Sequence, residues 1–239
     1  MPKVTPDLFE VLHDPQAEAV LARLYRAALK QGRTVMLHLL PKAFQLLGKG
    51  IDWKTEDEAF YDDKYIPIHP AQGSFLYMQA RALNAKNILE FGTSYGISTI
   101  YLAKAAQENS GSSPEQVRGK VITTEYLPHK AAAARRNLEA AGLFDYVDIW
   151  EGDARETLKN LDTELDLVLL DGWPDLVFPI FKLIEPHLKP GAVIAVDDVE
   201  GFKPSMQDYL DYVRNPTNGY ISTTIHPKKG LEFTVKIRP

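Results

Sequence analysis

The chain lacks cysteine, long apolar runs and any excess of positive charge. The absence of cysteine excludes disulfide frameworks, thiolate metal sites and cysteine nucleophiles, so any metal must bind oxygen or imidazole ligands. No apolar run approaches the roughly 18 residues of a membrane span, and residues 1–4 lack the apolar core of a signal peptide. We therefore expect no membrane partner and a cytoplasmic location. A formal net charge of -5 gives no general attraction to phosphate backbones, which disfavours nucleic acid as a partner.

The 239 residues suit one globular unit with an appendage, and 45% hydrophobic content is typical of a chain that buries a sizeable core. Asp14 followed by Pro15 is typical of a helix start, and an apolar stripe comes next. This helix is predicted to end near Lys30, before a second apolar-periodic stretch over residues 34–47. We expect residues 1–65 to form an N-terminal helical cap or dimer arm, which would suit a homodimer.

The rest of the chain, residues 66–239, alternates short β-type runs with helical stretches, as βαβ units do. The β-type runs are 87–91, 120–124, 146–150, 165–170 and 192–196, and the helical stretches are 99–106, 130–141, 154–161 and 178–188. Two further β-type runs at 220–225 and 231–237 flank a Pro-Lys-Lys-Gly turn and predict a hairpin. The pattern predicts an α/β fold, a Rossmann-like, doubly wound, mostly parallel sheet with helices on both faces and a C-terminal antiparallel hairpin.

The bend after the first predicted strand has a carboxylate, that of Glu90, at a position that helps to predict the ligand. Ligands of open parallel sheets bind beyond the carboxyl ends of the strands, where Glu90 is followed by Phe91 and Gly92. A dinucleotide fingerprint requires glycine where Glu90 stands, because glycine lets a pyrophosphate approach the turn. A carboxylate there repels a diphosphate and attracts an ammonium or sulfonium group. We therefore expect a positively charged ligand.

The next two strand ends extend this expectation. Glu125 follows the second predicted strand, where an acidic residue accepts hydrogen bonds from ribose hydroxyls in such folds. Asp153 and Ala154 follow the third, where a carboxylate or backbone amide can meet an adenine edge. A cationic amino acid joined to adenosine satisfies all three positions.

The segment from residue 66 to 239 resembles the class I S-adenosylmethionine-dependent methyltransferases. The resemblance lies in the string ILEFGTSYGIS at residues 88–98, with Glu125 and the Gly-Asp-Ala of residues 152–154 in order behind it. Within that class the chain is similar to the small O-methyltransferases of the catechol and caffeoyl-CoA type. The resemblance implies S-adenosylmethionine as cofactor, a small-molecule hydroxyl as acceptor, and Mg²⁺ or another divalent cation.

The resemblance also implies roles for individual residues. The implied cofactor-binding residues are Ile68 and Ser98 at the methionine carboxylate, Glu90, Gly92, Thr93, Ser94 and Gly96 around the methionine, Glu125 at the ribose, Asp153 and Ala154 at the adenine, and Asp171. The implied metal ligands are Asp171, Asp197 and Asp198, and Asp171 is also the implied catalytic residue.

Two positions depart from the pattern of the family. The family usually has asparagine where Asp198 stands, and Pro174 replaces its catalytic lysine. Either Asp171 or His69 would then have to serve as general base, unless a cation or the acidity of the acceptor removes that need. Trp173 and Phe202 are candidate walls for an acceptor, although core or surface packing explains them as well.

Several rival functions stay open at this point. A nicotinamide-dependent dehydrogenase on a similar sheet is disfavoured by Glu90. A methyltransferase acting on nitrogen, protein or nucleic acid is a further alternative, but residues 171–174 are Asp-Gly-Trp-Pro, without the Pro-Pro-aromatic signature of base-amino methylation. A non-catalytic protein that binds S-adenosylmethionine is the third. No serine lies in a G-x-S-x-G elbow, which disfavours hydrolase chemistry.

Overall fold

The computed structural model describes residues 10–43, 50–111, 118–226 and 230–238. Over these ranges, no helix combines the length and the apolar character that crossing a membrane requires.

A seven-stranded sheet forms the centre of the molecule. Its strands are β1 (Asn87–Phe91), β2 (Lys120–Glu125), β3 (Val147–Glu151), β4 (Leu165–Leu170), β5 (Leu188–Val196), β6 (Tyr220–Ile225) and β7 (Leu231–Lys236). The strand order is β3-β2-β1-β4-β5-β7-β6, with β1 to β5 parallel and β7 antiparallel to both β5 and β6. The predicted mostly parallel sheet and its terminal antiparallel strands are confirmed, while most of the predicted turn, residues 227–229, lies outside the described ranges.

Helices cover both faces of this sheet. They are α1 (Pro15–Leu39), α2 (Pro70–Ala82), α3 (Ile97–Asn109), α4 (Pro128–Ala140), α5 (Ala154–Thr157), α6 (Val177–Ile184) and α7 (Lys203–Arg214). Neighbouring strand residues divide between two hydrophobic clusters, so that Ile88 packs with α1 to α4 and Leu89 with α6 and α7. This two-sided burial explains why the central strands are apolar at nearly every position.

The strand order places a cleft at the carboxyl end of β1. The chain runs outward from β1 to β2 and β3, then returns to β4 on the other side of β1. Loops after β1 and β4 therefore diverge to opposite faces of the sheet, which leaves a crevice between them. Apart from Ile68, which precedes α2, the predicted site residues lie at or shortly after the ends of β1 to β5.

The first helix differs from its prediction. The expected end near Lys30 is wrong, because α1 continues unbroken to Leu39. Gly32 lies inside it, at a cost of about 1 kcal/mol that a long helix tolerates. The helix ends only where Pro41 imposes a short 3₁₀ turn over Leu40–Lys42, and residues 44–47 of the second predicted stretch lie outside the described ranges.

The N-terminal helix shares the core of the sheet. Leu21, Leu24 and Tyr25 of α1 are buried in the same cluster as Ile88 of β1. This packing joins α1 to the methyltransferase-like part of the chain over part of its length. The division at residues 65 and 66 and the homodimer stay predictions.

Candidate active site

A cavity of about 630 Å³ lies at the carboxyl ends of the parallel strands. A smaller one of about 30 Å³ adjoins it and shares Gly92, Ser94 and Asp171 among its lining residues. The larger volume is in the range of pockets that enclose a cofactor-sized ligand. Of the predicted residues, Gly92, Ser94, Glu125, Asp153, Ala154, Asp171, Asp197 and Asp198 line the larger cavity, Ile68, Thr93 and Ser98 line the smaller one, and Glu90 and Gly96 line neither.

The turn after β1 requires glycine because β1 and β4 end close together. Gly92 has a φ of +104°, and a Cβ placed on it would lie 2.5 Å from the backbone oxygen of Asp171. The Asp171 backbone N–H donates to the Phe91 carbonyl at 2.9 Å and fixes the two ends against each other. The bend thus places the backbone of Gly92, which has no side chain, beside Asp171 in the cavity wall.

Glu125 is held with its carboxylate in the cavity wall. Its Oε2 accepts from the Ser94 backbone N–H at 2.7 Å, and its Oε1 accepts from the Leu127 N–H at 2.8 Å. Burial raises the pKa of Glu125, although these backbone hydrogen bonds oppose the rise. Each carboxylate oxygen has a second lone pair, so both can also accept from a ribose hydroxyl.

Glu90 takes a different position from the one its place in the bend predicts. Its side chain is fully buried, and Oε2 accepts from the hydroxyls of Thr99 at 2.5 Å and Thr123 at 2.6 Å. Burial raises the pKa of this carboxyl. Direct contact between Glu90 and a cofactor stays a prediction, whereas Asp171 and Glu125 are among the acidic residues that line the cavity.

Asp153 has a structural role in addition to lining the cavity. Its Oδ1 accepts from the Arg155 backbone N–H at 2.9 Å and caps α5, while its carboxylate also pairs with the Arg155 side chain at 2.6 Å. The hydrogen bond from Arg155 lowers the pKa of Asp153. Each carboxylate oxygen already accepts two hydrogen bonds from Arg155, so a contact between Asp153 and an adenine would compete with this pairing and stays a prediction.

Three carboxylates from neighbouring strand ends share one wall of the cavity. Asp171 follows β4, and Asp197 and Asp198 follow the adjacent β5. Burial, together with repulsion from Asp197 and Asp198, raises the pKa of Asp171 well above its usual range. In number and kind these oxygens fit a hard divalent cation, which would relieve their repulsion. The described residues nevertheless contain no group of three histidine, cysteine, aspartate or glutamate side chains arranged to hold a metal ion.

Two buried side chains that the sequence did not single out hold the segment around Ile68. The Tyr25 hydroxyl of α1 donates to the Ile68 carbonyl at 3.0 Å. Gln72 accepts from the His69 backbone N–H at 2.7 Å, and its amide N–H donates to Oδ1 of Asp197. Gln72 therefore joins the predicted cofactor segment to the carboxylate wall. Its position three residues after a helix-capping residue was the available signal.

His69 has a capping role. Its Nδ1 accepts from the Ala71 backbone N–H at 3.2 Å at the start of α2, and it lines neither of the two cavities. This geometry favours Asp171 over His69 as the proton acceptor.

Aromatic rings from two parts of the chain meet at the cavity. Trp53 stacks on Trp173 with ring centroids 4.9 Å apart, meets Phe202 edge-on at 5.3 Å, and lies 5.2 Å from Tyr61. All four line the larger cavity. Trp173 and Phe202 were candidate acceptor walls from the sequence. Trp53 and Tyr61 were not, because residues 53–65 carry only a general aromatic and acidic composition.

Comparison with known proteins relates the sequence to one family. Residues 89–199 match the family described as a methyltransferase domain. A catechol O-methyltransferase from Niastella koreensis is 36% identical over 138 residues, which are 56% of this chain and 58% of that protein. A catechol O-methyltransferase from Mycobacterium tuberculosis is 38% identical over 135 residues, which are 56% of this chain and 57% of that protein. The chain thus spans less than two thirds of the length of these curated relatives.

Comparison of folds agrees with this result. The O-methyltransferase from Bacillus cereus in complex with SAH matches with a TM-score of 0.64 and 26% identity, covering 74% of this chain and 86% of that one. The matched family segment contains the ends of β1 to β5 but not residues 50–68. Residues 89–199 of the chain therefore match a methyltransferase domain, and the chain is similar in sequence to catechol O-methyltransferases and in fold to an O-methyltransferase.

Proposed function

We propose that the protein is an S-adenosylmethionine-dependent methyltransferase that methylates a hydroxyl of a small aromatic molecule. One observation carries the proposal: a single cavity is lined by Glu125 at one strand end, by Asp171 at another, and by a group of aromatic rings. These are the surroundings that a ribose, a methyl-transfer centre and a flat acceptor require.

The cavity fits the cofactor in charge as well as in size. Acidic side chains outnumber basic ones along its lining, with Lys130 and Arg155 as the cationic members among the described residues. A sulfonium cation is attracted to such a wall, and a diphosphate is repelled. When bound, S-adenosylmethionine supplies an already activated methyl group. The protein must then align an acceptor with that group and manage one proton.

Asp171 is the residue we assign to the proton. Transfer forms a bond between the acceptor oxygen and the methyl carbon, breaks the bond between that carbon and sulfur, and releases the hydroxyl proton. Pro174 occupies the position of the lysine that the family resemblance leads one to expect, and Asp171 is the carboxylate whose pKa burial raises most clearly at this wall. A carboxylate with a raised pKa is a stronger base when ionised, so it suits removal of a hydroxyl proton.

A divalent cation at the same wall is included in the proposal as the alternative to Asp171 as general base. Asp171, Asp197 and Asp198 are the residues that would hold it. When bound, such a cation would lower the pKa of the acceptor hydroxyl and fix its position. The carboxylates by themselves would provide the polar part of the acceptor site, in the same cavity as the ring of Trp53.

The test is a methyl-transfer assay with S-adenosylmethionine on catechols and other hydroxylated aromatics, run with Mg²⁺ and with chelator. We expect turnover of at least one hydroxylated aromatic. Loss of turnover in chelator would assign activation of the hydroxyl to the cation. Turnover that ignores chelator would remove the cation from the proposal and leave the methyltransferase. Tight binding of NAD without binding of S-adenosylmethionine would overturn the function itself, and cofactor binding without turnover of any acceptor would favour a non-catalytic binding protein.

A further inference from the structure

The helix α1 carries positive charge that its surroundings do not neutralise. From residue 19 to residue 43 the chain has five lysine and arginine residues and no aspartate or glutamate, although its formal net charge is -5. Arg26, Lys30 and Arg33 are exposed, and none of the acidic side chains that the structure describes pairs with them. A local basic surface thus lies on a chain whose overall charge is negative.

Apolar side chains share the exposed side of α1 with these basic ones. Met36, Leu37 and Leu40 are 59%, 62% and 63% exposed, and Leu29 is 37% exposed. Residues three, four and seven positions apart lie on the same side of a helix. The surface formed in this way, which we call the basic-apolar face, consists of Arg26, Leu29, Lys30, Arg33, Met36, Leu37 and Leu40. Basic residues predominate over its first two turns, and its carboxyl end is apolar.

The other side of α1 packs against the protein. Leu21 and Leu24 are buried in the core, and Val35 and Leu39 line the larger cavity. None of the residues of the basic-apolar face lines either cavity. Binding to this face can therefore be measured separately from binding in the cavity.

We propose that the basic-apolar face docks on a membrane surface that contains anionic phospholipid. Positive side chains near such a surface are attracted to its headgroups, and exposed apolar side chains beside them enter the boundary with the acyl chains. Long basic side chains lay their apolar stems on this boundary and keep their charge in water. The expectation of no membrane partner rests on the absence of a spanning segment, whereas a helix that lies on the surface needs none. The inference goes beyond the proposed function and does not depend on it.

Charge and composition favour this partner over two others. A second copy joined through the same face by a twofold axis would bring two sets of positive side chains together. A nucleic acid would meet the basic residues but would leave Met36, Leu37 and Leu40 without apolar contacts. An anionic membrane surface satisfies the charged and the apolar residues of the face together.

The direct test measures binding of the full chain to lipid vesicles by flotation. One set of vesicles is phosphatidylcholine alone, and the other contains phosphatidylcholine and phosphatidylserine in equal amounts. We expect binding to the mixed vesicles, little binding to phosphatidylcholine alone, and a fall in affinity as the salt concentration rises. Absence of binding to the mixed vesicles at low salt would overturn the inference, and so would equal affinity for the two sets.

Matched substitutions locate the contact. Arg26→Gln combined with Arg33→Gln should weaken binding to the mixed vesicles by about 25-fold, at about 5-fold for each charge near the surface. Leu37→Gln should weaken it by about 10-fold through loss of apolar insertion. The control is Arg136→Gln combined with Lys203→Gln, which removes the same charge from exposed positions on α4 and α7. Equal weakening by the control pair would show a general effect of net charge and would overturn the assignment to this face.

A reporter on the face distinguishes insertion from attraction at a distance. Because the chain has no cysteine, Leu37→Cys can carry a single polarity-sensitive fluorophore, and Ala132→Cys, at an exposed position on α4, carries it as the control. We expect the emission of the label on residue 37 to shift to the blue on mixed vesicles and that of the label on residue 132 to stay unchanged. A shift on residue 132 alone would place the contact elsewhere and overturn the inference.

Two further outcomes would also count against the membrane surface. If the wild-type chain sediments as a dimer and Leu37→Gln makes it a monomer, the face is a contact between copies. If duplex DNA binds more tightly than the mixed vesicles and the Arg26→Gln, Arg33→Gln pair abolishes that binding, the partner is a nucleic acid. The lipid and salt series with the wild-type chain needs no variant, so it tests the inference even where thermal unfolding shows that a substitution disturbs the fold.

Discussion

The two walls of the cavity are built in different ways. The strand-end wall consists of the lining residues that follow β1 to β5, such as Gly92, Glu125 and Asp171, and strand pairing and backbone hydrogen bonds position it. The N-terminal wall, residues 50–66, has two 3₁₀ turns, Trp53–Thr55 and Glu58–Tyr61, and pairs with no strand. In the proposed function, the first wall would carry the cofactor chemistry, and the second would add selectivity for the acceptor.

Side chains from elsewhere hold the N-terminal wall in place. Gln31 of α1 donates to the Asp63 carbonyl at 3.0 Å and accepts from the Tyr65 N–H at 2.8 Å. Lys130 of α4 donates to the Tyr61 carbonyl at 3.0 Å, and the ring of Tyr65 stacks on Tyr95 at 3.8 Å. Each of these side-chain contacts can break without the others, whereas a strand end is held by the pairing of its whole strand in the sheet. The comparison therefore predicts that changes in the two walls separate into effects on chemistry and effects on acceptor binding.

The largest expected effect comes from Asp171→Asn in the strand-end wall. Loss of the base should lower kcat by about 10²- to 10⁴-fold. For the same reason, wild-type activity should rise with pH as Asp171 ionises, and this rise should disappear in the variant. Initial rates across a pH series measure both effects.

Stability should change in the opposite direction. Because burial and the neighbouring carboxylates raise the pKa of Asp171, its ionisation destabilises the folded state. Wild-type stability is thus fully present below the ordinary aspartate pKa and is lost as pH rises through the raised pKa, whereas the neutral amide of the variant has no such loss. Thermal unfolding of Asp171→Asn at neutral pH should occur at the wild-type temperature or above it. Asp175→Asn, in the same cavity lining, is the control, and an equal loss of activity there would contradict the assignment.

Glu125→Gln should give the next largest effect, and this effect should be confined to the affinity for the cofactor. The carboxylate offers charge-assisted acceptors for ribose hydroxyls, and their loss should weaken S-adenosylmethionine binding by about 10- to 100-fold in calorimetry. Acceptor KM at saturating cofactor should stay the same. Glu151→Gln is a matched control because Glu151 pairs with Glu125 in register on the neighbouring strand. Equal loss in both variants would show a general effect of charge rather than a ribose contact.

The contrast between the walls also explains what could be predicted from the sequence. The sheet and the residues after each strand follow from local patterns, since apolar runs mark buried strands and the topology dictates where their ends lie. Trp53 and Gln72 could not be found in that way, because their roles depend on contacts to residues 205 and 197, far away in the chain. Glu90 shows a further limit: its position in the motif is apparent from sequence, but the direction of its side chain is not.

Gln72→Leu tests the junction between the two walls. It removes the amide that joins the His69 backbone to Asp197, so the Ile68 segment and the carboxylate wall lose their common support. We expect kcat/KM for S-adenosylmethionine to fall about 10-fold, the typical effect of losing a supporting hydrogen bond behind a site. Gln79→Leu, on the same helix, is the control. If Gln72 were only structural, the thermal unfolding temperature would fall while kcat and the cofactor KM stayed the same.

The smallest expected effect lies in the N-terminal wall itself, at Glu56. Burial alone would raise the pKa of Glu56, but hydrogen bonds from Lys42 and Tyr61 outweigh it and lower the pKa below its usual range. The stabilisation from ionised Glu56 is therefore present above the ordinary glutamate pKa and is lost as pH falls through the lowered value. Glu56→Gln should cost about 1 kcal/mol of local stability at neutral pH.

This loss of stability should be confined to the N-terminal wall, because residues 50–66 do not pair with any strand of the sheet. Hydrogen exchange, corrected for intrinsic rates, should be faster in residues 58–65 of Glu56→Gln, with β1 and β4 unchanged and cofactor affinity at the wild-type value. As pH falls, exchange in the wild-type segment should approach that of the variant. Glu58→Gln, at the exposed first position of the neighbouring 3₁₀ turn, is the control. Faster exchange in β4 would mean that the two walls unfold as one unit, and the separation of chemistry from acceptor binding would have to be abandoned.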